Sequence, residues 1–274
     1  MLHHQDEVIA ASLGSLSSAV VALCRQAGDA IEEVAHSQLR TQIKDDDSPV
    51  TTADFAAHSC LVEGLTRLGV PGWPVLSEES ASVPWQTRRQ WSTYWLIDPL
   101  DGTKEYLRGS DEYSVNVALI HDHRPILGVV EKPRTREVWL GRPSEGAWHQ
   151  AAPGANWSPL SVAPAEPPRV VVSRFHRGAK AQRLIDAIPG VRVTTLGSSL
   201  KCCLIAGGRA DLYPRFGPTS EWDTAAAQAV LEGAGGSLVE THDWSPLRYN
   251  TKASLLNPGF VACASLEGAW RKAW

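Results

Sequence analysis

The 274-residue sequence has no Lys/Arg-rich tract, no Cys-x-x-Cys pair, no internal repeat, no low-complexity tract and no apolar run long enough to span a bilayer. Each absence excludes something. With 26 basic against 30 acidic residues the formal charge is −4, which argues against binding polymeric nucleic acid. A small anionic ligand held by local basic residues or by metals is still allowed. The five cysteines (Cys24, Cys60, Cys202, Cys203 and Cys263) are odd in number and lack zinc-ligand spacing, so neither a disulfide framework nor a structural zinc site is expected. Reduced thiols in a cytoplasmic protein are the simplest reading. The apolar stretch over residues 8–23 is broken by serines and Gly14 and preceded by Asp6 and Glu7, so no secretory signal is expected. Peripheral association with the inner face of a membrane, and the oligomeric state, stay open. What is present is a globular composition, 43% hydrophobic and 20% charged, on a chain long enough for a large core.

The apolar residues Val8, Ile9, Leu16, Val20 and Leu23 predict an amphipathic helix over residues 5–36. A second helix is expected to open at Asp54, with Leu61, Val62 and Leu65 on its apolar side. Trp95-Leu96-Ile97 reads as a buried strand running into Asp98. Val115, Val117 and Leu119 alternate with Ser114, Asn116 and Ala118, and Asp122-His123-Arg124-Pro125 is the turn to the next antiparallel strand. Residues 151–168, rich in Pro and Ala, mark the junction between an N-terminal half (1–165) and a C-terminal half (166–274). Beyond it strands at 170–172, 191–196 and 211–213 alternate with helices at 179–188, 199–206 and 223–232, the pattern of a layered α/β fold.

The acidic residues fall into a constellation. The strand at 95–97 delivers Asp98 and Asp101 three residues apart, joined by Pro99 and Leu100 in what reads as a rigid turn. Two fixed carboxylates suit a hard divalent cation such as magnesium, which takes oxygen ligands in near-octahedral geometry. A bare Asp-x-x-Asp is common and its ordinary reading is a solvated turn. Glu78-Glu79 follows another short apolar run, and Asp223 stands at a helix start. Taken singly, these are a surface acidic pair and a helix N-cap. Their joint occurrence with the Asp98 segment points to a metal centre.

As a set, Glu78-Glu79, Asp98-Pro99-Leu100-Asp101-Gly102-Thr103 and Trp222-Asp223-Thr224-Ala225-Ala226 resemble the signatures of the lithium-sensitive, magnesium-dependent phosphatases typified by inositol monophosphatase. Ala227 departs from the glycine many relatives have, which bears on packing more than on chemistry. The resemblance implies an αβαβα layered sandwich. It implies one magnesium on Glu78, Asp98 and the Leu100 carbonyl, a second shared by Asp98, Asp101 and Asp223, and a looser third ion near Glu78. Two metals flanking the scissile bond neutralise phosphoryl charge and activate an in-line water. Thr51-Thr52-Ala53-Asp54 resembles the family segment whose aspartate pairs with the threonine of Asp-Gly-Thr. Asp54, Thr103 and Glu78 are therefore expected to orient and deprotonate the attacking water. An N-cap role for Asp54 is the plain alternative. Lys44 is a candidate for offsetting acidic charge, or a solvated surface residue.

The metal site does not choose the substrate. Asp98 to Tyr106, with Lys104-Glu105-Tyr106, is closer to the bisphosphate-nucleotidase branch than to the inositol phosphatases. Three further segments, around His176, Ser198-Ser199-Leu200-Lys201 and Arg215, resemble that branch and follow predicted strands, where α/β folds gather ligands. Physically, Ser198 and Ser199 at a helix start, with Lys201, Arg215 and His176, suit a second phosphate. Plain capping by Ser198 and a solvated Lys201 remain the alternatives. The expected activity is hydrolysis of the 3′-phosphate of adenosine 3′,5′-bisphosphate to AMP, with the substrate touching Glu78, Leu100, Asp101, Gly102, Thr103, His176, Ser198, Lys201, Arg215 and Asp223. An inositol or other sugar monophosphatase on the same metals, and a non-catalytic metal-dependent binding protein, are the rival readings.

Overall fold

The computed structural model of the chain describes residues 2–36, 39–43, 49–68, 72–174 and 178–274. Lys44 and His176 lie outside the described residues. The long helix α1 (Leu2–His36) and helix α2 (Thr52–Arg67) pack together, with the short antiparallel pair β1 (Thr41–Ile43) and β2 (Pro49–Thr51) between them in sequence. Both helices lie on one face of a seven-stranded sheet. Its strands run side by side in chain order: β3 (Val75–Ser77), β4 (Thr93–Asp101), β5 (Ser114–His121), β6 (Arg124–Lys132), β7 (Glu137–Arg142), β8 (Gly146–Gln150) and β9 (Ser158–Pro159). Within it β3–β4 is parallel and every other neighbouring pair antiparallel. Two short helices, α3 (Trp85–Arg88) and α4 (Thr103–Leu107), flank β4 in sequence.

The second half supplies β10 (Arg169–Val172), α5 (Ala179–Asp186), β11 (Arg192–Thr195), α6 (Leu200–Ala206), β12 (Leu212–Arg215), α7 (Ala225–Gly233), β13 (Ser237–Glu240) and β14 (Phe260–Cys263). Its strands form a five-stranded sheet in the order β11-β10-β12-β14-β13. Strand β10 runs parallel to β11 and β12, so these three share a carboxyl end.

Burial explains the layering. Val115, Val117 and Leu119 of β5 join Leu16, Val20, Ile31 and Leu61 of α1 and α2. Ala118 and Ile120, on the opposite face, join Cys203 and Ile205 of α6, Ala226 and Val230 of α7, and Tyr213, Phe260 and Ala262 of the second sheet. The far face of that sheet, through Val170, Val172, Leu212 and Val261, packs on Leu184 and Ile185 of α5 and on Trp270. The result is the expected αβαβα sandwich. Because both faces of β5 are covered, Ser114 and Asn116 are buried along with its apolar residues, unlike the half-solvated strand that alternation usually marks.

Helix α7 sits unusually close to the first sheet. A Cβ at Gly128 of β6 would stand 2.2 Å from the Ala226 carbonyl oxygen, and one at Gly141 of β7 would stand 2.3 Å from the Val230 nitrogen. Alanines 225, 226, 227 and 229 on the helix and glycines on the strands permit the approach, and Ala227 is itself buried. Two local expectations need correction. The Asp98–Asp101 segment is not a turn but the end of β4. Asp98 pairs with Asn116 and Asp101 with Ser114, three steps against two, so the strand bulges. Pro99, which has no N–H to give the ladder, falls in that bulge. Asp223 does not open the helix either: it ends a 3-10 turn (Glu221–Asp223), and α7 begins at Ala225.

Candidate active site

Four local devices bring the acidic residues together. At the start of α2, Thr51 is the N-cap and Asp54 the third residue of a capping box. The Thr51 N–H and hydroxyl both donate to Asp54 Oδ2, each at 2.7 Å. That corrects the N-cap reading of Asp54 and leaves Oδ1 facing the Thr103 hydroxyl at 3.2 Å. The same hydroxyl is 3.3 Å from the Leu100 carbonyl oxygen. Gly102, at φ 98°, makes the left-handed turn from β4 into α4 that puts Thr103 there.

In the β4 bulge the Leu100 N–H donates to Asp98 Oδ1 at 3.1 Å. Glu78 opens a 3-10 turn capped by Ser77, whose hydroxyl also meets His58 Nδ1 at 2.8 Å. Asp223 Oδ2 accepts the Ser220 N–H at 2.9 Å, the return half of a second capping box. Glu78, Asp98 and Asp223 thereby each present one carboxylate oxygen within 4.8 Å of the others.

Asp101 is held differently. Its Oδ2 accepts the Ser199 N–H at 2.6 Å, lies 2.7 Å from the Ser199 hydroxyl, and receives Asn116 Nδ2 at 3.3 Å. The Ser199 hydroxyl is also 2.7 Å from the Asp223 carbonyl oxygen and accepts a second N–H of Asn116 at 2.9 Å. So the anion-binding start of α6, expected to take a substrate phosphate, holds the chain's own Asp101 carboxylate. Ser199 belongs to the acidic cluster and only Ser198 faces the cavity free of it. Asn116 was not legible as a site residue, although a polar residue inside the run Val115 to Ile120 was the available signal.

The electrostatics of the cluster are adverse without a cation. Asp98 is 1% exposed, and its pKa is driven well above the usual carboxylate range by burial and then by Glu78, Asp101, Asp223 and Asp54. Asp223 is pushed well up too, by burial and by Asp101 and Glu78, against the Ser220 N–H and Arg215. Converging oxygens whose mutual repulsion raises their proton affinity form the donor set of a hard divalent cation.

These groups line a cavity of about 480 Å³, together with Leu100, Gly102, Thr103 and residues from the second half. Ser173 follows β10, Ser198 follows β11 and Arg215 ends β12, so the shared carboxyl end of the parallel strands opens into the cavity. Two cations stand on this wall, both buried. Lys201 is 5% exposed; its ammonium donates to the Ser198 carbonyl and lies 5.0 Å from the centre of the Tyr213 ring. Arg215 is 6% exposed and donates to the Ser173 hydroxyl (3.0 Å) and the Pro218 carbonyl (2.8 Å). Lys201 is not the solvated lysine that the sequence left open.

Two histidines near the first sheet lie outside the cavity, and of the adjacent cysteines on α6 Cys202 borders the cavity while largely buried. His121 meets the Thr93 hydroxyl, His123 meets the Tyr249 carbonyl, and Cys203 is buried within α6. All five cysteines are free thiols.

The profile of the Inositol monophosphatase family matches residues 12–272. The chain belongs to that family. Within it, the 3′(2′),5′-bisphosphate nucleotidases CysQ of Salmonella typhimurium strain LT2 and of Escherichia coli strain K12 are 45% and 46% identical over 246 residues, 88% of this chain and 96% of each relative. The crystal structure of CysQ from Bacteroides thetaiotaomicron superposes with a TM-score of 0.79 at 34% identity, over 92% of this chain and 98% of that one. An inositol monophosphatase from Anabaena shares the fold, with a TM-score of 0.72 at 21% identity over 96% of both chains. Among the described residues no helix is long and apolar enough to cross a membrane.

Proposed function

We propose that the protein is a magnesium-dependent 3′(2′),5′-bisphosphate nucleotidase that converts adenosine 3′,5′-bisphosphate to AMP and phosphate. The observation that carries this reading is one cavity with two opposed chemistries: clustered carboxylates from Glu78, Asp98 and Asp223, and the buried cations Lys201 and Arg215. A monophosphate needs the first set alone. A bisphosphate uses both, and the relatives nearly half identical over most of the chain carry that activity in their names.

In this reading Glu78, Asp98, Asp101, Asp223 and the Leu100 carbonyl hold two to three magnesium ions. When bound, magnesium supplies charge neutralisation at the phosphoryl oxygens and acidifies water. The chain's own residues do the rest. Thr103 lines the cavity, whereas Asp54 is 2% exposed behind it. With Oδ2 saturated by Thr51, Asp54 Oδ1 draws the Thr103 proton and turns the hydroxyl oxygen towards the cavity. Asp54 so acts through Thr103, which orients the attacking water and passes its proton on, with Glu78 beside it. Water oxygen bonds to phosphorus and the bond to the 3′-oxygen breaks; one water proton stays on the phosphate, and the leaving 3′-oxygen takes up the other, exchanged through solvent in the cavity. Ser198, Lys201 and Arg215 hold the 5′-phosphate and so bind substrate without taking part in bond breaking; His176 is assigned the same task. The five free thiols accord with a cytoplasmic place, where this nucleotide arises in sulfur metabolism.

The test is phosphate release from adenosine 3′,5′-bisphosphate and from inositol 1-phosphate in parallel, with magnesium, with EDTA and with lithium. Preference for the nucleotide, lost in EDTA and lowered by lithium, is the expected result. Preference for the inositol ester would keep the metal chemistry and overturn the substrate. No release from either, with magnesium binding intact, would favour the binding-protein reading.

A further inference from the structure

The turn carrying Asp223 is gripped by residues that do not line the cavity. Arg88 closes α3, is 2% exposed, and spends its guanidinium on a loop 162 residues later. Its Nη1 donates to Asn250 Oδ1 at 2.6 Å and to the Lys252 carbonyl at 3.2 Å, and its Nη2 donates to the Ala253 carbonyl. Asn250 answers with Nδ2 donated to the Arg88 carbonyl at 2.6 Å. The Asn250 N–H, in turn, donates to Glu221 Oε2 at 2.8 Å. Glu221 is 1% exposed and opens the 3-10 turn that Asp223 ends.

The same loop holds that turn at two more points. The Glu221 N–H donates to the Leu255 carbonyl at 2.9 Å, and Asn257 Nδ2 donates to the Ser220 carbonyl at 2.7 Å. Ser220 is the residue whose N–H fixes the Asp223 carboxylate. Hydrogen bonds thus run from a buried guanidinium on α3 through Asn250 to the Glu221 carboxylate, and the backbone of the 3-10 turn carries that anchor the two residues on to Asp223. A guanidinium buried away from water is costly unless its donors are used; here two carbonyls and one amide oxygen take both terminal nitrogens and the face of Trp85 lies 4.8 Å away, while Nε has no hydrogen-bond partner among the described residues. Asn250 holds a left-handed backbone at φ 54°, a conformation asparagine tolerates better than most residues, and it makes both reciprocal bonds from there.

We propose that Arg88 and Asn250 are positioning residues for Asp223. They set the affinity for the divalent cation without touching it or the substrate. This rests on the proposed magnesium site. Loss of hydrogen bonds that orient a ligand commonly weakens metal binding by about 10–100-fold. The chemistry follows: tilting the Ser220–Thr224 segment moves one carboxylate away from Glu78 and Asp98, whereas the Thr103–Asp54 pair and the Lys201–Arg215 wall, on other elements, keep their places.

The experiment measures magnesium binding by calorimetry on substrate-free protein for the wild type, Asn250→Ala, Arg88→Lys, Arg169→Lys and Asp223→Asn. Arg169 serves as control because its buried partner Asp211 ties β10 to β12 and not to the Asp223 turn. The expected result is a dissociation constant raised about tenfold or more in Asn250→Ala and Arg88→Lys and unchanged in Arg169→Lys, at whatever cost in melting temperature each brings. At saturating magnesium, KM for the bisphosphate stays within about twofold of wild type, as expected when only the metal ligand has been disturbed. Wild-type affinity in folded Asn250→Ala overturns the proposal, as does equal weakening in Arg169→Lys, which would mean general loosening. Should Arg88→Lys fail to fold, Asn250→Ala decides alone. If the wild type binds no magnesium, or Asp223→Asn binds it normally, the metal assignment itself has failed, and the positioning role with it.

Discussion

Glu131 offers a quantitative test of how the first sheet meets α1. Its carboxyl lies on β6, is 0% exposed, and neither oxygen has a hydrogen-bond partner among the described residues. The space for it exists because residue 28 of α1 is glycine: a Cβ there would stand 2.6 Å from Glu131 Oε2. The cation whose charge reaches it, Arg25, is spent on the Arg136 carbonyl and on Gln150. Burial, opposed only by Arg25, raises the Glu131 pKa from 4.5 to about 8. Between these values the folded state keeps a proton that the unfolded chain has released. Stability is therefore fully present below pH 4.5 and falls as pH rises towards 8, by about 1.4 kcal/mol per unit. From pH 5 to pH 7 the loss is about 3 kcal/mol from this one group. Glu131→Gln keeps the shape and removes the proton equilibrium. Urea unfolding of both proteins from pH 5 to pH 9 gives the check: the wild-type curve should drop relative to the Gln variant through this window and run parallel above it. Curves parallel throughout would refute the account, since they would mean that the carboxyl titrates alike in both states.

Thr103→Val preserves the shape of α4 but breaks the link to Asp54; kcat should fall about 10²-fold or more with calorimetric magnesium affinity kept, and a kcat within threefold of wild type would remove Thr103 from the proton path. Lys201→Ala and Arg215→Ala should each raise KM for adenosine 3′,5′-bisphosphate by about tenfold or more, the worth of a charge-assisted hydrogen bond, and leave a 3′-monophosphate nearly unaffected. Equal effects on both substrates would place these cations elsewhere in the reaction. Gly141→Ala should cost about 1–3 kcal/mol in denaturant unfolding, because α7 cannot yield 2.3 Å of approach without shifting; a neutral result would mean that the helix is not seated as described.

Local chemistry made much of the fold legible. Periodicity placed the body of α1 and the β5–β6 hairpin, where Asp122 and His123 take the positive φ angles of a tight turn. The strand–helix alternation after residue 168 gave the three parallel strands of the second sheet but not β13 and β14, and the family signatures announced the acidic cluster. Features that depend on distant partners escaped. The bulge in β4 is a matter of ladder register, invisible in Asp98-Pro99-Leu100-Asp101 alone. Ser199 read as a phosphate donor because nothing local shows that Asp101, 98 residues earlier, arrives at the same helix start. Arg88 and Glu131 carry no motif; each acquires meaning from its burial.

The Ser199 hydroxyl has a further consequence. It meets the Asp101 carboxylate from the first sheet and the Asp223 carbonyl from the turn before α7, while its own helix leads into the second sheet. Three remote stretches of chain thus converge on one oxygen atom beside the reaction centre, and one apolar core spans both sheets behind it. A jaw-like closure would have to tear that junction each time the enzyme turned over. At this junction the two sheets are tied as one body, so a rigid swing of one sheet against the other is not the way this cleft would admit a ligand.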